Sequence, residues 1–164
     1  KPVPFLTALE DLEVLELTGA SNVDSFLTNV RHSKQLKNID LSKTDVSEIG
    51  ISSLTQLNRL EGLNLDGCLI SPAFITELVK LTTLRSLELE NTTFENDSFE
   101  GITKLKQLSA LSLSNIDLTD ENLLGHLAQC KSLMNLSLTA TKISEEGLNT
   151  LKTKLINCKI ELHD

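Results

Sequence analysis

The sequence predicts an α/β fold, a right-handed solenoid arc with a parallel sheet on its concave side and short helices on its convex side. Three observations carry that prediction. A six-residue pattern, Leu-x-x-Leu-x-Leu, recurs along the chain of 164 residues in steps of 24, with a single step of 25. Within each copy the Leu-x-Leu alternation has the period of a strand with one face buried and the other in solvent. After each copy comes a further apolar residue and then a helix start with good capping residues. Self-similarity at a period of this length marks a stacked-repeat architecture.

The copies begin at Leu12, Leu36, Leu60, Leu84, Leu108 and Leu133, and a truncated one ends Ile160-Glu161-Leu162. Each predicts a strand. Val46, Ile70, Phe94, Leu118 and Ile143 follow at ten residues past the first leucine and predict a second buried position. Helix starts come next. Ser71-Pro72 places a capping hydroxyl before a first-turn proline, and Thr119-Asp120-Glu121 and Ser144-Glu145-Glu146 place a cap before carboxylates that favour a helix N-terminus. The helices are expected to bury Leu54, Leu57, Leu78, Leu81, Ile102, Leu105 and Leu127, and Phe74, Phe94 and Phe99 are expected in the core.

A single strand-turn-helix unit cannot bury its own apolar face, so the units must stack. Strands separated by such crossovers pair in parallel. No composition shift or Gly/Ser/Pro-rich linker divides residues 1–164, which read as one domain. Val3, Leu6 and Leu9 match helix positions of a repeat whose strand is absent, and Asn157 stands where a leucine would open the last strand. The expectation is a piece of a longer array or protein.

The L-x-x-L-x-L pattern at this period resembles the leucine-rich-repeat family across essentially the whole chain. The resemblance implies a protein-binding role for the concave sheet. The family's usual asparagine after the strand is replaced here by Thr44, Cys68, Thr92, Ile116 and Thr141, so those turns must be satisfied differently. Cys130-Lys131-Ser132-Leu133 is similar to the C-x-x-L of cysteine-containing repeats in F-box proteins, in one repeat only.

Composition narrows the partner class. A net charge of -8 and a sequence pI near 4.9 work against nucleic acid, whose phosphates are held by clustered Lys and Arg. No apolar run reaches the length needed to cross a bilayer, so membrane insertion is not expected. Cys68, Cys130 and Cys158 are odd in number, form no CxxC pair and have no histidine at metal-ligand spacing. Neither a disulfide framework nor a metal or cofactor site is expected, and a reducing intracellular compartment is favoured, with a secreted effector still compatible. Cys68 and Cys130 take positions where the arc buries small residues and read as core thiols. His32, His126 and His163 fall at unrelated repeat positions, and no phosphate-binding, hydrolase or metalloprotease motif occurs, so the chain is not read as an enzyme. Sequons at Asn91, Asn96 and Asn135 are no more than chance provides.

Register places three rows of side chains on the exposed sheet face. Between the last two leucines stand Glu16, Asp40, Asn64, Glu88, Ser112, Ser137 and Glu161; after them stand Thr18, Ser42, Asp66, Glu90, Ser114, Thr139 and His163. Val14, Asn38, Gly62, Ser86, Ala110 and Asn135 form the third row. The first two rows contain six carboxylates and no Lys or Arg, with Asp66, Glu88 and Glu90 the densest group. The candidate protein-binding residues are Glu16, Asp40, Asn64, Asp66, Glu88, Glu90, Ser112, Ser114 and Ser137. Reversing the charge of Asp66, Glu88 and Glu90 is expected to leave folding intact. Glu13, Lys37, Glu61 and Arg85 alternate in sign across neighbouring strands and read as a structural charge ladder. Lys34, Arg59, Lys80, Lys104, Lys106 and Lys131 gather at helix ends and Asp97, Asp120, Glu121, Glu145 and Glu146 at helix starts, as helix dipoles favour.

The function these features point to is a monomeric protein-interaction scaffold without chemistry of its own, facing a partner with a basic surface. Its setting is a module of a larger receptor, regulator or ligase subunit, or a secreted effector. Two alternatives stand beside it: a GTPase-activating type of regulator, with Arg31 as the loop arginine, and a structural arc packed against neighbouring domains with its concave face idle.

Overall fold

The computed structural model describes residues 11–94, 98–117 and 119–162. Val3, Leu6, Leu9, Asn96, Asp97, Leu118 and His163, named above, lie outside the described residues. Each leucine pattern supplies one strand of three residues: β1 (Val14–Glu16), β2 (Asn38–Asp40), β3 (Gly62–Asn64), β5 (Ser86–Glu88), β7 (Ala110–Ser112), β8 (Asn135–Ser137) and β9 (Lys159–Glu161). They form one parallel sheet in the order β1-β2-β3-β5-β7-β8-β9. The middle residues Leu15, Ile39, Leu63, Leu87, Leu111, Leu136 and Ile160 align across it, fully buried except at the two ends.

The convex side carries α1 (Val23–Val30), α2 (Glu48–Leu54), α3 (Pro72–Leu78), α4 (Asp120–Leu127) and α5 (Glu145–Lys154). Paired strands lie about 4.8 Å apart and packed helices about 8–10 Å apart, so the stack bends with the sheet inside. Leucines from both layers meet in one core running the length of the arc, which includes the expected Leu54, Leu78, Ile102 and Leu127. Phe74 and Phe99 are buried; Phe94 is half-buried and meets Phe99 edge to face at 5.5 Å.

Two features depart from the simple repeat. The fourth unit has a 3-10 helix, Ser98–Lys104, in place of an α-helix. Here Gly101 lies so close to α3 that a Cβ would stand 2.0 Å from Ile75 Cγ2. The second is a small parallel sheet of β4 (Leu69–Ile70) and β6 (Thr93–Phe94) beyond the strand turns.

The turns are satisfied without the family's asparagine. The hydroxyls of Thr44, Thr92 and Thr141 donate to the carbonyls of Leu41, Leu89 and Leu138 at 2.7, 2.6 and 2.8 Å, and Cys68 Sγ reaches the Leu41 carbonyl at 3.2 Å. Ile116 has no donor to offer and is simply buried. One residue per turn adopts positive φ: Gly19, Lys43, Gly67, Asn91, Asn115 and Ala140. That kink lets the amides of the first five continue the inter-repeat ladder, as from Gly67 to the Glu90 carbonyl at 2.7 Å.

Helix starts are tied between repeats. Asp24 accepts from the Ser47 amide at 3.0 Å and its hydroxyl at 2.5 Å, while Asp120 accepts from the same two groups of Ser144. In both places a glycine, Gly50 or Gly147, leaves room for the carboxylate. Asn22, at positive φ, makes no side-chain cap of its own. Asp45 of the next repeat serves instead, accepting from the Asn22 and Val23 amides at 2.8 and 3.3 Å. The acids at helix starts therefore do more than complement helix dipoles. The basic edge has a similar role: Lys34 and Lys131 donate to the Gln56 and Lys154 carbonyls at the following helix ends.

Candidate protein-binding face

The concave sheet face is built by the alternation itself, since every residue flanking the buried middle leucine points away from the core. Pairing sets Glu16 against Asp40, Asp40 against Asn64, Asn64 against Glu88, Glu88 against Ser112 and Ser112 against Ser137. Glu16 and Glu88 are exposed, and Asp40, Asn64, Asp66, Glu90, Ser112 and Ser137 are half-buried. Ser114 is covered, 8% exposed, with its hydroxyl 2.8 Å from that of Ser137.

These side chains form two hydrogen-bonded groups, one around Asp40 and one running from Asn64 to Ser137. Asp40 accepts from the Thr18 hydroxyl at 3.1 Å and the Ser42 amide at 2.7 Å. Asn64 accepts from the Asp66 amide at 2.8 Å and donates to Glu88 at 3.0 Å. Asp66 accepts from the Glu90 amide at 2.7 Å, and Ser112 donates to Glu90 at 2.7 Å. Three of these bonds satisfy backbone amides of the turn, so the groups are also part of the scaffold. The expectation that charge reversal at Asp66 would spare the fold is therefore corrected: a lysine there offers no acceptor to the Glu90 amide.

The carboxylates titrate differently along the face. Burial, reinforced by the Glu90 and Asp40 charges, pushes Asp66 above the ordinary carboxylate range against the pull of the Glu90 amide. Glu88 is exposed as a residue, but partial desolvation of its carboxylate at the sheet surface and then the charges of Asp66, Glu90 and Asp40 push it up as well. Burial also acts upward on Asp40, but the Ser42 and Thr18 hydrogen bonds outweigh it and hold that carboxyl low. Among the described residues no Lys or Arg forms an ion pair with Asp66, Glu88 or Glu90. Farther along, a cleft of about 320 Å³ lies over Ser86, Ala110, Ser112 and Ser137, with Glu88, Glu90 and Glu161 on its walls.

Sequence reasoning missed Lys159. It extends the third row beside Asn135 and pairs with Glu161 at 2.6 Å, so that end of the face is neutralised. Carrying the three-row register one strand farther would have found it. The charge ladder is present, with Lys37 to Glu13 at 2.9 Å and Arg85 to Glu61 at 3.9 Å. Cys68 and Cys130 are buried, and burial raises both thiols. Arg31 is the C-cap of α1, at the head of the turn that leads toward β2. No helix of the described residues is long and apolar enough to cross a membrane. Among them no group of three His, Cys, Asp or Glu side chains converges as metal ligands.

In repeat pattern and in fold the chain is a leucine-rich-repeat solenoid. It is similar to an internalin (inlF) from Listeria monocytogenes, with TM-score 0.62 and 18% identity over 97% of this chain and 52% of that one. It is also similar to TLR13 in a complex with ssRNA13, with TM-score 0.62 and 20% identity over 96% of this chain and 26% of that one. A leucine-rich-repeat protein of Leptospira interrogans matches with TM-score 0.58 and 22% identity over 93% of this chain and 49% of that one. The chain thus spans from about a quarter to about half of the length of these structures, and at such identities the likeness is one of fold. No family model matches the sequence, and no curated protein matches it.

Proposed function

We propose that the chain is a protein-interaction scaffold that binds a basic protein surface on its concave face and performs no chemistry of its own. One observation carries the reading: Asp66, Glu88 and Glu90 are held together on an open face, with no cation paired to them among the described residues. Like charges at cross-strand distances cost a few tenths of a kcal/mol each, and an incoming cationic surface would reverse the sign of that term. Glu16 and Asp40 extend the acidic area, while Asn64, Ser112 and Ser137 supply neutral hydrogen-bonding groups. Phosphate would be repelled here, which disfavours nucleic acid as the partner. The GTPase-activating alternative keeps Arg31, at the C-cap of α1, as its arginine and has no further observation in its favour.

The idle-arc alternative has one observation in its favour, since Asp40, Asn64 and Asp66 already serve turn amides. The test removes charge and keeps the acceptors: Asp66→Asn, Glu88→Gln and Glu90→Gln in one chain. Affinity capture with the isolated arc is expected to lose the bound partner by about tenfold, at up to about 1 kcal/mol per exposed ion pair. Equal capture by the neutralised chain, folded as the parent is, would sink the concave reading.

A further inference from the structure

On the convex side a cleft of about 760 Å³ runs along the outer face of α2, between the end of α1 and Glu77 of α3. Its lining includes Ser52 and Ser53, Ile49 with 61% of its surface exposed, and Arg31, His32 and Lys34. The repeat serves as its own control for what stacking requires. One unit along, Arg31 is replaced by Thr55, Ile49 by Ala73, Ser52 by Thr76 and Ser53 by Glu77. The solenoid therefore needs neither an exposed isoleucine nor an arginine nor paired serines at these positions, yet all four meet at one cleft.

Its charges are unevenly committed. Glu77 is taken by Lys80 at 2.5 Å and accepts a hydrogen bond from Ser52. Lys34 donates to the Gln56 carbonyl at 3.0 Å, which leaves ammonium hydrogens to spare. Arg31 Nε lies 3.3 Å from His32 Nε2, and no Asp or Glu forms an ion pair with the guanidinium among the described residues. Glu48, at the start of α2, also lines the cleft. Arg31, His32 and Lys34 stand toward the other end of that helix, so one end of the cleft is cationic in a chain of net charge -8, and Ile49 lies exposed between the two.

We propose that this cleft is a second docking site, independent of the concave face, for an acidic peptide segment of a partner protein. An aliphatic side chain of the segment packs on Ile49, which loses exposed apolar surface. A carboxylate of the segment is taken by Arg31, whose planar fork suits two parallel hydrogen bonds, with His32 and Lys34 beside it.

The probe is the acetylated, amidated hexapeptide Ala-Leu-Ala-Glu-Glu-Ala, titrated into the nitrogen-15-labelled chain, with a version carrying Lys for both Glu as its counterpart. Saturable amide shifts are expected at Arg31, His32, Ile49, Ser52 and Ser53 with the acidic peptide and none with the basic one. Arg31→Gln and Ile49→Ser should each weaken binding by about tenfold, which corresponds to about 1.4 kcal/mol. The chain neutralised at Asp66, Glu88 and Glu90 should bind the acidic peptide as the parent does. Shifts confined to the concave face, no saturable shift at millimolar peptide, or undiminished binding by Arg31→Gln would each overturn the proposal.

Discussion

Leu87→Ala probes the register on which every statement about the two faces depends. Leu87 is fully buried on β5, aligned with Leu63 on one side and Leu111 on the other. Truncation removes three carbons, worth about 2.4 kcal/mol at about 0.8 kcal/mol per buried methylene. The site cannot collapse freely, because β5 is hydrogen-bonded to β3 and β7, so a cavity cost adds to this and the total should reach about 3 to 5 kcal/mol. Urea unfolding followed by far-ultraviolet circular dichroism measures it, as a lower midpoint at unchanged slope. Glu88→Ala on the same strand is the control, expected within about 0.5 kcal/mol of the parent because its side chain faces solvent. Stability in a solenoid is shared between neighbours, so amide exchange in β3 and β7 should also quicken in Leu87→Ala. A Leu87→Ala chain no less stable than Glu88→Ala would refute the register, since a slip by one residue exchanges the two faces.

Other perturbations test the concave face and the ties between repeats. Because Asp66 and Glu88 titrate above their ordinary values when folded, ionising them opposes folding, and the penalty is relieved as pH falls through their folded pKa. From neutrality toward the ordinary carboxylate range, the urea midpoint of the parent should therefore approach that of Asp66→Asn with Glu88→Gln; a constant gap would contradict the assignment. Asp45 and Asp120 behave oppositely: the Asn22 and Val23 amides, and the Ser144 hydroxyl and amide, hold them low, so their support is lost as pH falls through their folded pKa in more acid solution. Gly50→Ala would set a Cβ 2.3 Å from Asp24 Oδ1 and should cost about 1 to 3 kcal/mol, with less of that cost in an Asp24→Ala background. Ser33 is buried, and its hydroxyl has no partner among the described residues, at the repeat position held elsewhere by Leu57, Leu81, Leu105 and Cys130. Ser33→Ala should raise stability by up to about 1 kcal/mol in the same assay, and a loss of that size would mean the hydroxyl is in fact satisfied.

The strands, their order and their two faces were legible in the sequence because the hydrophobic period is local and repeats: Leu84, Leu87 and Leu89 announce a buried face without reference to any partner. The caps at Ser71 and Ser144 were legible for the same reason, accepting from the Phe74 and Gly147 amides at 3.1 and 3.0 Å. The 3-10 helix after Ser98 was not, since its form accompanies the close approach of Gly101 to Ile75 on a neighbouring unit. Nor were the positive-φ turns, where glycine, lysine, asparagine and alanine share a conformation but no chemistry.

By itself the sequence determined a stacked arc and which side chains stand on its sheet, because a strand's alternation decides its faces before anything packs against it. Tertiary structure alone decided what those side chains do. Asp66 became an acceptor for an amide 24 residues away, the Ser114 hydroxyl was covered and joined to that of Ser137, and Asp24 and Asp120 tied one helix start to the next. The convex cleft also appeared only there, from α1 and α2 meeting side by side. Each depends on how one repeat is set against the next, a relation carried by stacking and not by any local run of residues.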